Sequence, residues 1–338
     1  MPVCSICGKN IKNPNSLNHI RSKYHQEKLK EKLNKKALNV RICERCGYEL
    51  NKEWHFCPTC GLQLRGDNLK NEHKKLNIEK LNSFGIINGN NEFKEFAKKN
   101  KIPGIGTAES PFILKGLEIG NTKGDNGIYI NNTDCFLIIQ DCIIKNCTGS
   151  GISLKSVKNV VIKRNKIVSN DKFGIFLYNS SNIEVEGNEI LNNNESGILL
   201  LNSNENKIRK NKIKLNNMNG IHLYYSSSNL INQNKLSNHE TGIELQFSKN
   251  NKIINNISTY NNIGISIILS NKNIINNNFT NYNNKGISLA RSSENIIENN
   301  ETINNNKSGI YLMGSSENSI KNNKTKPNNN YEIYSFKI

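Results

Sequence analysis

Gly174-Ile175-Phe176-Leu177-Tyr178-Asn179-Ser180-Ser181-Asn182-Ile183-Glu184-Val185-Glu186-Gly187-Asn188-Glu189-Ile190-Leu191-Asn192-Asn193-Asn194-Glu195-Ser196 is one unit of a pattern that recurs along the chain. Its opening dipeptide returns as Gly127-Ile128, Gly151-Ile152, Gly174-Ile175, Gly197-Ile198, Gly220-Ile221, Gly242-Ile243, Gly264-Ile265, Gly286-Ile287 and Gly309-Ile310, at intervals of 24, 23, 23, 23, 22, 22, 22 and 23 residues. A unit of this length cannot bury a core alone, so repeated copies must stack on one another.

With each Gly as position zero, Ile at +1 and Ile or Leu at +3 alternate with variable residues at +2 and +4, the period of a strand with its first pair facing inward. Ser or Thr recurs at +6, as in Ser180, Ser203 and Ser226, and marks a turn. A second inward position at +11 holds Ile138, Ile162, Val185 and Ile208 onward to Ile320. At +14 stand Asn165, Asn188, Asn211, Asn234, Asn256, Asn278, Asn300 and Asn323, with Asp141 in the first coil. Asn tolerates the left-handed conformation of a sharp corner, and its amide can bond to the next layer, which predicts a ladder of side-chain hydrogen bonds. Ile or Leu at +16 gives way to Ser258, Thr280, Thr302 and Thr325, so the third side becomes partly polar. The pattern predicts an all-β chain folded as a parallel β-helix of about nine to ten coils of 22–24 residues.

Upstream, Phe84–Asn90 reads as strand and turn, and Glu92–Asn100 as a short helix with Phe93, Phe96 and Ala97 on one face, a cap for the first coil over 84–120. Pro103–Leu114 and Gly116-Leu117-Glu118-Ile119, with the Gly-Ile repeats behind them, resemble the prokaryotic right-handed β-helix proteins, the NosD-like group with its carbohydrate-binding and sugar hydrolysis repeats. The resemblance spans 84–338 and implies a right-handed, pectin lyase-like β-helix; it says little about function. At the other end, Glu332-Ile333-Tyr334 is a truncated tenth coil without a clear cap, where a second copy of the chain could pair.

The first third has a different chemistry. Cys4-x2-Cys7 followed by His19 and His25 suits one tetrahedral zinc, and Cys43-x2-Cys46 with Cys57-x2-Cys60 suits another. Residues 1–36 resemble a matrin-type two-Cys/two-His finger, and residues 40–66 resemble a zinc ribbon; residues 67–83 form a polar linker. Two structural zinc ions are expected, since four protein ligands leave no open position. The finger family contacts nucleic acid, which would assign phosphate contacts to Arg21, Lys23, Lys28, Lys30 and Lys32.

Charge points the same way. The chain carries 46 Lys+Arg against 28 Asp+Glu, a formal +18, and the stretch to Thr107 holds 21 basic and 10 acidic residues, +11 of that excess. A polyanionic partner is favoured on electrostatic grounds. The first residues show no basic start followed by an apolar run, and no apolar stretch reaches bilayer length, so the expectation is a cytoplasmic location away from membranes.

The outward stripe of the repeat runs Tyr129, Ser153, Phe176, Leu199, His222, Glu244, Ser266, Ser288, Tyr311, Tyr334 at +2, and Asn131, Lys155, Tyr178, Leu201, Tyr224, Gln246, Ile268, Ala290, Met313, Phe336 at +4. It contains one carboxylate, whereas glycoside hydrolysis needs two, so the face argues more against an enzyme than for one and no catalytic residue is assigned. Phe176, Tyr178, Leu199, Leu201 and Tyr224 beside His222 and Glu244 form the candidate binding surface. Three Met and the scattered His73, His222 and His239 make no soft-ligand cluster for copper. The leading expectation is a non-catalytic protein whose zinc modules recognise nucleic acid or a protein, tethered to a β-helix that serves as a binding or assembly scaffold. A carbohydrate-binding or carbohydrate-active β-helix is the alternative, and a protein-interaction scaffold without a polymer ligand is the third.

Overall fold

The computed structural model describes residues 41–42, 49–50, 84–121 and 126–336, in two compact units, Met1–Lys74 and Lys75–Ile338. In the first unit, Arg41–Ile42 and Glu49–Leu50 pair as an antiparallel hairpin, with Ile42 opposite Glu49. Cys4, Cys7, His19, His25, Cys43, Cys46, Cys57 and Cys60, and the basic residues Arg21, Lys23, Lys28, Lys30 and Lys32, lie outside the described residues.

The second unit is a parallel β-solenoid. Its glycine-bearing strands form one sheet from Phe84–Asn88 to Tyr331–Phe336, each in register with the next except for a register shift between Phe84 and Ile87 in the first. Ile152 pairs with Ile175, Ile175 with Ile198 and Ile198 with Ile221. A second sheet runs from Phe112–Lys115 to Ser319–Lys321. The third begins at Glu118–Gly120 and ends at Ile257–Thr259, beyond which single bridges join Ile257, Phe279, Glu301 and Lys324. Ile128, Ile152, Ile175 and Ile198 at +1 and Leu154, Leu177 and Leu200 at +3 are fully buried. Each such side chain contributes about 1.5–3 kcal/mol of transfer free energy, so the stacked rows supply the driving force that no single coil has.

The repeating glycines are explained by space. None of the nine has a left-handed φ, yet a Cβ added at Gly174 would lie 2.6 Å from the carbonyl oxygen of Gly197 and 2.5 Å from Ile190, and the other copies are as tight. The backbone of one coil rests on the backbone of the next here, and only hydrogen fits.

The asparagine ladders form. Asn165 donates its side-chain amide to Asn188 Oδ1, Asn188 to Asn211 and Asn211 to Asn234, each at 3.0 Å, and each acceptor oxygen also takes the backbone N–H one coil before it. Two further ladders lie at +9 and +19, for example Asn251 to Asn273 and Asn193 to Asn216. The αL expectation is corrected: the left-handed residues are those just before +14, namely Arg164, Gly187, Lys210, Gln233, Asn255, Asn277, Asn299 and Asn322, while the ladder Asn itself has no positive φ. The corner turns on the outward residue, which frees the Asn amide to point into the stack.

The first coil is also corrected by one position, because it is 24 residues long. Ile139, not Ile138, is the buried partner of Ile162, and Cys142, not Asp141, meets the ladder, its N–H donating to Asn165 Oδ1. Cys147 does the same for Asn170, and Cys135, Cys142 and Cys147 are all buried. Burial pushes the Cys142 thiol up to about 11, so it stays protonated and unreactive at neutral pH.

Helix α1, Asn90–Lys99, buries Phe93 and Ala97 over the first coil, with the Phe93 ring 5.0 Å from that of Phe112. On the third side Ser258, Thr280 and Thr302 are fully buried, and the hydroxyls of both threonines have no hydrogen-bond partner. At the last coil Ile333, an inward-type position, is 49% exposed, whereas Ile310 one coil earlier is fully buried. No helix among the described residues is long and apolar enough to cross a membrane.

Candidate functional site

The outward face of the glycine sheet carries the residues singled out in the sequence. Strand pairing sets Phe176, Leu199, His222 and Glu244 side by side in successive coils, and Tyr178, Leu201, Tyr224 and Gln246 beside them. Rungs of a sheet are about 4.8 Å apart, so four coils present a strip of roughly 14 Å. All eight are half-buried.

Two patches lie within the strip. At one end the Phe176 ring stands 6.3 Å from Tyr178 and 5.3 Å from Phe173, with Leu199 and Leu201 on the next rung, and Lys155 Nζ lies 5.6 Å from the Tyr178 ring. This is an apolar platform with exposed ring area. At the other end, Glu244 Oε2 accepts a 2.6 Å hydrogen bond from Asn219 Nδ2 and lies 4.0 Å from His222 Nε2. That His222 nitrogen has no hydrogen-bond partner although no solvent reaches it. Burial pulls the His222 pKa below the ordinary histidine range, with Glu244 and a Gln246 hydrogen bond opposing. The imidazole is therefore neutral at pH 7, and its contact with Glu244 is polar rather than an ion pair. The patch offers hydroxyl groups a half-buried carboxylate held in place by the buried Asn219 amide, with His222 Nε2 out of solvent's reach beside it.

Sequence reasoning missed Asn219, which holds the carboxylate, because it precedes its glycine at −1. It also missed the +5 corner. Tyr225 and Phe247 stand there in left-handed conformations, φ 50° and 52°, with rings stacked at 4.8 Å and 8°. Asn132, Asn179 and Asn202 hold that corner in other coils and tolerate such φ better. The rings cover each other's faces, so the pair reads as a ladder that offsets backbone strain and flanks Tyr224 edge-on at 4.6 Å from Tyr225. His239, counted among scattered histidines, is a rung of the +19 ladder: Nδ1 lies 3.1 Å from Asn261 Oδ1 and Nε2 lies 3.3 Å from Asn216 Nδ2. Its two bonds require the proton on Nδ1. Among the described residues no three His, Cys, Asp or Glu side chains gather as a metal site.

Comparison with known proteins follows this geometry. A family described as "Right handed beta helix region" matches residues 87–257, just over half of the 338-residue chain. A second, "Periplasmic copper-binding protein (NosD)", matches residues 215–335. No curated protein matches. Among solved structures, the A-module of the Azotobacter vinelandii mannuronan C-5 epimerase AlgE4 superposes with a TM-score of 0.52 at 12% identity over 67% of this chain, which spans 64% of that module. PfbA, a surface adhesin of Streptococcus pneumoniae, also gives 0.52, at 14% identity, over 66% of this chain and 70% of the adhesin. At these identities the likeness is one of fold.

Proposed function

Because the chain belongs to the right-handed β-helix family, we propose that its glycine-sheet face binds a glycan chain, with Phe176 and Tyr178 as the stacking platform and Glu244, held by Asn219, as the hydrogen-bonding partner. The observation that carries this is the pairing of two chemistries on one strip. Sugar rings present apolar C–H faces and hydroxyl edges together, and the strip places half-exposed aromatic rings three rungs from a carboxylate held by an amide. That epimerase acts on a polysaccharide, mannuronan, and shares the architecture; its reaction is not transferred, since the strip has a single carboxylate.

Affinity electrophoresis through gels containing different soluble polysaccharides tests the reading. At least one polymer retards the protein, and Tyr178→Ala and Tyr224→Ala each weaken the retardation about tenfold, the effect of losing one aromatic contact. Migration unchanged by any polymer would sink it.

The N-terminal unit supports a separate inference, that two structural zinc ions are held by Cys4, Cys7, His19 and His25 and by Cys43, Cys46, Cys57 and Cys60. What favours the second is the hairpin: Ile42 paired with Glu49 brackets Cys43 and Cys46 within one connection, the setting a C-x2-C knuckle requires. Elemental analysis of the purified full chain gives two zinc per protein on this reading, and one or none overturns it.

A further inference from the structure

The strand Tyr331–Phe336 has one strand partner among the described residues, Ser308–Met313. Its far edge is open. Tyr331, Ile333 and Phe336 on it are about half exposed, whereas Ile310 and Leu312 one rung earlier are buried. Hydrogen bonding along the glycine sheet fixes which backbone groups face that edge. The N–H at +1 donates forward to the next coil, as Ile152 to Gly174 and Ile175 to Gly197, and so does that at +5, as Asn179 to Leu201 and Gly314 to Phe336. Parallel strands bond alternately to their two neighbours, so the residue at +3 faces forward as well. Counted from Glu332, these positions are Ile333 and Ser335, and each turns both its N–H and its C=O to the open edge.

Such an edge is complementary to itself. In an antiparallel pair about a two-fold axis through Tyr334, Ile333 lies opposite the partner's Ser335 and exchanges both hydrogen bonds with it, and symmetry repeats the pair across the axis. Inward Ile333 then sits beside inward Ser335, and outward Tyr334 beside its own copy. A slip of one residue would set inward against outward. A slip of two toward Tyr331 loses bonds, because the Tyr331 N–H already donates to the Lys307 carbonyl at 2.9 Å. The Tyr334 ring stacks on Tyr311 with centroids 5.2 Å apart, a stack that the symmetric register continues across the axis. At the opposite end of the solenoid, helix α1 lies over the first coil with Phe93 and Ala97 buried. Covered there, the solenoid can meet only like with like, which closes a pair instead of growing a filament.

We propose that the open edge of Tyr331–Phe336 is a dimer interface for a second copy of this chain, paired antiparallel about Tyr334. An unpaired edge with half-exposed apolar side chains accepts strands in general. The self-complementary register and the covered opposite end select its own copy. The pairing joins two glycine sheets into one and brings both candidate strips to the same surface.

Sedimentation equilibrium of the full chain, taken to its highest soluble concentration, gives twice the mass of one chain. Ser335→Pro removes an N–H that faces only the edge, so the melting transition stays while the dissociation constant rises at least about tenfold, since both copies lose a donor. Tyr334→Cys sets its thiols across the axis, where opposed Cα atoms of a non-hydrogen-bonded pair are about 4.5 Å apart, and diamide oxidation links the dimer. Glu332→Cys sets them about 14 Å apart by strand rise, and linking stays at the wild-type level. A chain that remains monomeric throughout overturns the proposal, as does a dimer that Ser335→Pro leaves intact, or one linked as readily through Glu332→Cys as through Tyr334→Cys. Should Ser335→Pro lower the melting transition, the two cysteine variants decide alone.

Discussion

Gly220→Ala destabilises the β-helix by about 3 kcal/mol or more, at the upper end of what overpacking costs, because the obstacle is backbone. A Cβ at this position would meet the carbonyl oxygen of Gly242 at 2.6 Å, Leu236 Cδ2 at 2.6 Å and His239 Cε1 at 3.2 Å. The leucine can rotate. The carbonyl cannot move without opening the rung between two coils, and each coil is held only by its neighbours. Gly187→Ala is the informative comparison: that glycine has φ +64° and nothing within 4 Å of the added carbon. It costs only the left-handed strain of a non-glycine residue, about 1 kcal/mol. Thermal and urea melts of the two variants, monitored by circular dichroism, should rank them in that order by a wide margin. Equal melts would mean that the coils are not in backbone contact at the repeat glycine.

Asn234→Leu should cost a similar amount for a different reason. Asn234 Oδ1 accepts from the backbone N and the side-chain Nδ2 of Asn211, both at 3.0 Å, and its own Nδ2 donates to the Ile208 carbonyl at 2.9 Å and to Asn256 Oδ1 at 3.0 Å. Asn234 is fully buried. Leucine has nearly the same shape, so the loss is almost purely of hydrogen bonds: a buried N–H in one coil and a buried carbonyl lose their partners. Each such orphan costs about 1–3 kcal/mol. Asn232→Ala, on the outward side of the same coil, stays within about 0.5 kcal/mol of wild type. A ladder variant as stable as wild type would show that water replaces the missing amide.

How far the sequence led can be read from individual positions. The Gly-Ile repeat and the +1 and +3 rows were legible because burial selects residue type directly. The ladder was legible as a recurrence of Asn, but not its dihedrals: a repeated residue identifies a position, and the left-handed turn fell on the variable residue before it. The first coil slipped by one because its extra residue sits inside the repeat and leaves no mark in composition. Asn219 escaped notice since counting from glycine hides what precedes it, and Tyr225 and Phe247 because nothing in their own identity announces a stacked corner. The Phe176–Leu199 and His222–Glu244 neighbours were legible because strand register converts equal offsets into neighbours.

The ladders have one more consequence. In the +9, +14 and +19 rows every amide-to-amide bond runs the same way, from Nδ2 of one coil to Oδ1 of the next toward the C terminus, as in Asn170 to Asn193, Asn229 to Asn251 and Asn300 to Asn323. Backbone bonds between coils alternate in direction, since Arg164 N donates forward to Glu186 while Lys166 N donates back to Cys142, and their dipoles largely cancel. The side-chain amides do not cancel. Aligned dipoles polarise one another, so the solenoid has an electrical axis of its own, with partial positive charge toward its last coil.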